Sequence, residues 1–313
     1  MILASGTFHH VYDFDRFELP FHGELVLPSL FGLQITKFMI LQVIAALLVF
    51  WIFRGLSRRV RGGSTVSGLW WNFWEMLALY IRDEVVRPII GDPHEHDHGH
   101  DDGHHHGGNP LGTEHQHSLK EAPYVEATGK SSHSLTGGHP ADKYLPFVWS
   151  SFFYILICNL IGAVPWMGSA TGDLNVTVAL ALTAFGATFI YGAQQHGAGG
   201  FWLALVPSID APGALKVALI PMMFVIEVVG LFIKHGVLAI RLFANIMGGH
   251  TVLGVILAFI ASTANHGVWW VVAPASIAGQ IGVGLLELLV AFIQAYVFAF
   301  LSTIFIGMSL HEH

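Results

Sequence analysis

Charge is scarce in this sequence and cysteine almost missing. Only 11% of its 313 residues are charged against 53% hydrophobic, a balance too apolar for a soluble domain of that length and suited to a bilayer. The single cysteine, Cys158, excludes an intramolecular disulfide and stands in an apolar run, where packing is its expected role. No complete Gly-x-x-x-x-Gly-Lys-Ser or -Thr loop is present, so the chain is expected to do no nucleotide chemistry itself. A basic patch for nucleic acid is missing too. The net charge of -7 says little about partners, because much of the acid lies in the N-terminal arm and a mid-chain polar segment. The first residues carry Asp13, Asp15, Glu18 and Glu24 in place of a basic start and an apolar core, so no secretory signal is expected and the N-terminus is expected to be retained. There is no internal repeat.

What is there in quantity is long apolar sequence. A hydrocarbon core of about 30 Å needs roughly 20 apolar residues of helix, and Leu33 to Phe53 supplies the first such run. Residues 1–32 precede it as an arm. Arg54, Arg58, Arg59 and Arg61 follow it, and the stretch from Arg54 to Lys143 holds 9 of the 14 lysines and arginines. By the positive-inside rule that stretch is cytoplasmic and the N-terminal arm external. Trp70 to Ile90, with Trp70, Trp71 and Trp74 beside Arg82, Asp83, Glu84 and Arg87, reads as an amphipathic helix along the interface, ended by Pro88 and Gly91. Residues 54–90 thus form a basic turn and an interfacial helix.

Residues 91–143 are rich in His, Gly, Asp and Ser, include 11 of the 20 histidines, and are expected to be disordered. Membrane sequence resumes from residue 144 to the end. Tyr144 to Trp166 closes at Pro165, turns through Gly168 to Asp173, and returns from Asn175 to Tyr191. Two longer stretches follow, Ala214 to about Ala264 and Val268 to about Leu310, which must tilt, break or lie obliquely. The expected fold is an all-α integral membrane protein with about five crossing or oblique helices and one interfacial helix, the last two long and tilted as a hairpin. The C-terminus then lies on the cytoplasmic side.

Ionisable groups inside apolar helices are costly and point to function. They are few: Glu227, Lys234, His235, Arg241, His250 and Glu287. Glu227, Lys234 and Arg241 follow at seven-residue intervals, which returns each side chain to nearly one helix face, and Asn245 extends the stripe by a turn. Gln280, Glu287 and Gln294 repeat the spacing on the last helix. Two such stripes suit an aqueous path. The plainer reading is mutually paired polar glue between helices, or side chains snorkelling to water. It fits Glu227 and Lys234 better than Arg241, which cannot neutralise itself.

The tract His94, His96, His98, His100 and His104 to His106 invites a loose metal site, but lacks the fixed scaffold of a structural one, and no metal is assigned. The remaining histidines, among them His9, His10, His22, His196 and His266, fall in expected loops, and His235 is ambiguous. A zinc carrier is the alternative class, opposed by Arg241 and Lys234, which repel a cation. A haem subunit needs axial histidines on facing helices, and the two deep candidates, His235 and His250, share one stretch.

The run Leu238-Ala239-Ile240-Arg241-Leu242-Phe243-Ala244-Asn245-Ile246-Met247-Gly248-Gly249-His250 closely resembles the signature of subunit a of F-type ATP synthases. Ile81-Arg82-Asp83-Glu84, Cys158-Asn159-Leu160-Ile161-Gly162, Asp173-Leu174-Asn175-Val176-Thr177 and Gln294-Ala295-Tyr296-Val297-Phe298 match in the same order. The resemblance implies that Arg241 is the stator arginine facing a ring of c subunits, each with one buried carboxylate. It implies that His250 and Glu287 belong to the external half-channel, the family's acid and histidine here in reversed positions. Nine residues separate His250 from Arg241, about half a turn round the helix, so His250 faces away from it and toward Glu287. Asn245 and Gln294 are expected to order water near the arginine, with Glu227, Lys234 and Asn175 as accessory polar groups. The implied partners are the c-ring, b-type peripheral stalk subunits, the F1 catalytic sector and the lipid bilayer, with no cofactor. The implied role is proton transport for ATP synthesis within the complex, the chain not being catalytic on its own, and a bacterial inner membrane is the expected location.

Overall fold

The computed structural model describes residues 35–60, 68–91, 139–164, 168–204 and 213–310, together with the backbone of four short strands before them. Those strands make two antiparallel pairs: β1 (Arg16–Leu19) with β2 (Gly23–Val26), Arg16 opposite Val26, and β3 (Ser29–Leu30) with β4 (Leu33–Gln34), Ser29 opposite Gln34. Both precede the first helix in the chain. Leu33 therefore belongs to a strand rather than to the first helix. That helix, α1 (Lys37–Val60), runs seven residues beyond Phe53 because Arg58 and Arg59 suit its negative C-terminal end.

Gly68, at φ 108°, starts the next helix from a conformation that side chains with a Cβ resist. α2 (Leu69–Tyr80) passes through a π turn (Ile81–Val86) into α3 (Arg87–Ile90). Contrary to the sequence reading, Pro88 lies inside this run and only Gly91 ends it. A proline has no N–H to give, and the wider π turn just before it lets the helix continue through that position. Trp74, Ala78, Ile81 and Val85 are buried along one face, while Leu69, Trp70, Met76 and Tyr80 are exposed on the other. Trp149 Nε1 donates to the Ala78 carbonyl at 2.9 Å and ties this helix to α4 (Leu145–Gly162).

Arg87 fixes the polar base of the bundle. Its Nε and Nη2 reach Asp142 Oδ1 and Oδ2 at 3.2 and 3.1 Å, and Nη1 reaches Asp83 at 3.3 Å. The Asp142 hydrogen bond, opposed by partial burial, holds the Arg87 pKa above its ordinary value. Asp142 stands in a 3₁₀ turn (Pro140–Lys143), and a Cβ on Gly91 would come within 3.2 Å of the His139 ring. The two ends of the segment 92–138 are therefore in contact. The disorder and metal expectations for the histidine tract fall outside the described residues.

α4 ends at Gly162, before Pro165, and α5 (Leu174–His196) runs past Tyr191 to His196, which is thus helical rather than in a loop. Asp173 Oδ1 caps α5 by accepting from the Asn175 N–H at 2.9 Å. Gly197, at φ 79°, breaks the chain before the short α6 (Ala198–Ala204), an element the apolar pattern did not separate. α7 (Gly213–Thr263) and α8 (Trp269–Leu310) are unbroken over 51 and 42 residues, with Pro221 and Pro274 near their starts. Of the three expectations for these stretches, breakage is excluded. At 1.5 Å per residue they measure about 76 and 63 Å, so a bilayer core of about 30 Å forces them oblique.

α1, α4, α5, α7 and α8 are the five helices long and apolar enough to cross a membrane. α4 is the hub, 56% buried against 22% for α1 and for α7, which form outer walls. Phe152, Phe153 and Leu156 of α4 pack with Ile52, Trp74, Leu242 and Phe298. Ala291, Ala295 and Ala299 repeat every fourth residue on α8 with no exposure, the small residues that let helices approach closely without a hydrophobic drive between them. The protein is an all-α integral membrane protein.

Candidate functional site: the polar stripes of α7 and α8

α7 and α8 run antiparallel after the turn at 264–268, which includes His266. Two contacts fix their register: His250 against Glu287, and the His235 ring 4.7 Å from that of Phe305. Arg241 and Asn245 of α7 and Gln294 of α8 fall at levels between those contacts.

The stripe on α7 divides by exposure. Lys234 Nζ lies 3.5 Å from Glu227 Oε1, and both side chains are more than a third exposed. Arg241, next in the series, faces outward among the exposed Val237, Ile240 and Ala244. It forms no hydrogen bond or ion pair with a described residue. Asn245 is half-buried one turn on.

The opposite face of α7 carries the other charge pair. His250 Nε2 stands 3.7 Å from Glu287 Oε1, with the side chains only 17% and 8% exposed. Gly249 lies against the same carboxyl: a Cβ there would stand 3.4 Å from it. The spacing is too long for a direct hydrogen bond, and one bridging water between an imidazole and a carboxylate so placed would let them exchange a proton. Gln280 and Gln294 flank Glu287 on α8, both half-buried.

Behind Glu287 lies a buried polar chain that the spacing argument missed. Asn159, 1% exposed in the middle of the bundle, donates from Nδ2 to the Ala291 carbonyl at 3.5 Å, one turn from Glu287. Thr171 Oγ1 donates to Asn159 Oδ1 at 2.7 Å, and Ser169 and Thr171 share a hydrogen bond of 2.7 Å. The signal was present as a lone asparagine in an apolar helix, quoted above only as part of a matching segment. His235, ambiguous in sequence, is a core residue: Nδ1 lies 2.9 Å from the Leu231 carbonyl and the ring sits between Phe185 and Phe305. Asn175 is exposed in the first turn of α5, its backbone N–H capped, and no hydrogen bond joins it to the His250–Glu287 pair. Among the described residues no group of three or more His, Cys, Asp or Glu is placed to hold a metal.

Residues 122–307 match the profile of the family described as ATP synthase A chain. ATP synthase subunit a of Myxococcus xanthus is 33% identical, over 97% of this chain and 88% of that protein. The protein of the same name from Chloroherpeton thalassium is 31% identical over 97% and 76%. That of a Methylobacterium species is 36% identical over 62% and 74%. A family match across more than half the chain, joined to near-full-length relatives and five helices long and apolar enough to cross a membrane, settles the class: this chain belongs to the ATP synthase A chain family, subunit a of the membrane sector of ATP synthase.

Proposed function

We propose that this chain is the stator of a proton-driven rotary motor, forming two half-channels against a ring of c subunits and coupling proton flow to ring rotation and ATP synthesis. The observation that carries the reading is the outward Arg241, charged and without a described partner beside the exposed Val237, Ile240 and Ala244. A guanidinium stays ionised at all working pH values, so it favours the ionised form of a rotor carboxylate and drives its proton toward an exit. The same fixed charge repels a proton hopping straight across, so the half-channels communicate only through rotation. Each charge crossing 100 mV then delivers about 2.3 kcal/mol.

Polar groups flank Arg241 on both sides along α7. Glu227 and Lys234 lie toward its start, and Asn245 and His250 toward its end. His250 and Glu287, with Asn245 and Gln294 ordering water, form the external half-channel in this reading, and Glu227 and Lys234 serve the cytoplasmic one as accessory groups. The N-terminus is external and the C-terminus cytoplasmic, in a bacterial inner membrane, as the arginines after α1 support. The b-type stalk subunits hold the chain against rotation, and the F1 sector performs the chemistry.

The test is ATP-driven proton pumping in inverted vesicles that contain the assembled complex, wild type against Arg241→Ala. Pumping is expected to vanish while the complex still assembles. Pumping that persists would reduce Arg241 to structural glue and end the proposal.

A further inference from the structure

We infer that the C-terminal end of α1, with the start of α2, is a binding site for one anionic phospholipid. Arg54, Arg58 and Arg59 are exposed there and form no ion pair with a described residue. Three uncompensated cations within two turns are an anion's counter-charge.

The cluster is held in place. The Arg59 guanidinium lies 4.0 Å over the Trp71 ring, and its Nη1 approaches the Gly55 carbonyl at 3.4 Å. Trp71 can take that place because residue 55 is glycine: a Cβ there would collide with the indole. Trp51 packs on the same ring at 5.7 Å. The aromatic pair thus fixes one arginine at the membrane-facing crotch of α1 and α2 and leaves Arg54 and Arg58 free to meet a ligand.

The apolar half of the ligand is matched on the same helix. Val43, Leu47, Phe50 and Trp51 are 59, 61, 63 and 56% exposed, and their spacing forms a single stripe that continues onto Arg54 and Arg58. Trp51 lies seven residues before Arg58, about 10 Å along the axis, which is the step from the headgroup layer into the upper acyl chains. A phosphate at the arginines therefore sets its acyl chains along the stripe. A zwitterionic lipid would bring its own cation against the same arginines, so a net-negative headgroup is preferred. Free phosphate would satisfy the arginines but leave the stripe unused, and an acidic protein segment would need no acyl contact.

The test uses the full chain in phosphatidylcholine vesicles containing either brominated phosphatidylglycerol or brominated phosphatidylcholine at equal mole fraction, read by tryptophan quenching. Brominated phosphatidylglycerol is expected to quench more strongly, and Trp51→Phe to shrink that excess. Arg54→Gln with Arg58→Gln is expected to lower the preference by up to about fivefold per arginine, with quenching by brominated phosphatidylcholine unchanged. Both side chains are exposed and unpacked, so the variant keeps its fold. Equal quenching in the wild type, or a preference that survives the double variant, overturns the proposal. So does loss of the preference on adding millimolar inorganic phosphate, which marks an ion site, or in the assembled complex, which gives the patch to a partner protein.

Discussion

Exchanging His250 and Glu287 separates a working proton relay from a simple interhelical contact. In the state where both groups are ionised, unit charges 3.7 Å apart attract by about 4.5 kcal/mol at an effective dielectric of about 20. The 17% and 8% exposure leaves little solvent to screen them, and removing one member of a buried pair costs about 3–5 kcal/mol. If half of that attraction, about 2 kcal/mol, acts on the transfer step, each single exchange slows pumping about thirtyfold. His250→Glu places two carboxylates together and Glu287→His two imidazoles, so each single exchange also replaces an acid–base pair by a like pair. The double exchange returns one acid and one base to the same two positions. Its pumping is expected to exceed either single variant by at least about tenfold. The assay is dye quenching during ATP-driven pumping in inverted vesicles, normalised to assembled complex by immunoblot. A double variant no better than the worse single one, in assembled complex, would refute the relay, as would single variants that pump like wild type.

Gly192→Ala brings a Cβ to 2.6 Å from Phe201 Cδ2 and 3.2 Å from Ser309 Cβ, and the overpacking is expected to cost about 1–3 kcal/mol. A lowered Tm in detergent checks it, with Gly186→Ala, which meets nothing within 4 Å, as the neutral control. Asn159→Leu strips Thr171 of its buried acceptor and is expected to destabilise by about 1–3 kcal/mol, read by the same melt. Asp142→Asn removes the charge facing Arg87 and is expected to cost about 1 kcal/mol, more at low salt than at high. The raised Arg87 pKa gives stability that is fully present below the ordinary arginine value and lost only as pH rises through the folded one. Melts from about pH 6 to 9 should therefore show no Arg87 titration. Replacing residues 93–137 by a short glycine-serine linker is expected to leave pumping intact, because Gly91 and His139 already touch.

Apolar length and helical period carried most of the fold. Runs of roughly twenty apolar residues mark the spans because nothing else fills a bilayer core, and α7 and α8 begin and end within one residue of the stretches read from sequence. Ends set by a local device were misplaced. α1 continues through Arg54, Arg58 and Arg59, since arginine is a good helix former and snorkels from the last turn. The π turn before Pro88, the β-pairs ahead of α1 and the short α6 leave no periodic signature. At the site, seven-residue spacing grouped Glu227, Lys234 and Arg241 on one face, and a half-turn offset turned His250 toward α8. Spacing along one helix carries no register between helices, so the reach of Asn159 to Ala291 was illegible.

The exposure of Arg241 is itself an energetic statement. A charged side chain at the centre of a membrane helix costs about 2.5–3.5 kcal/mol on insertion scales, and such residues almost always face protein or water rather than lipid. Arg241 is exposed and meets no counter-charge among the described residues, whereas Lys234 has its counter-charge at 3.5 Å. A structural arginine would have been paired the same way, by an acid one or two turns along α7. Sparing Arg241 such an acid leaves its charge for a partner. In the rotary reading proposed above, that partner is an anionic group on a separate subunit passing the outer wall that α7 forms. The oblique course of a helix about 76 Å long gives that partner a long, mostly apolar track on which Arg241 is the charge without a counter-charge among the described residues.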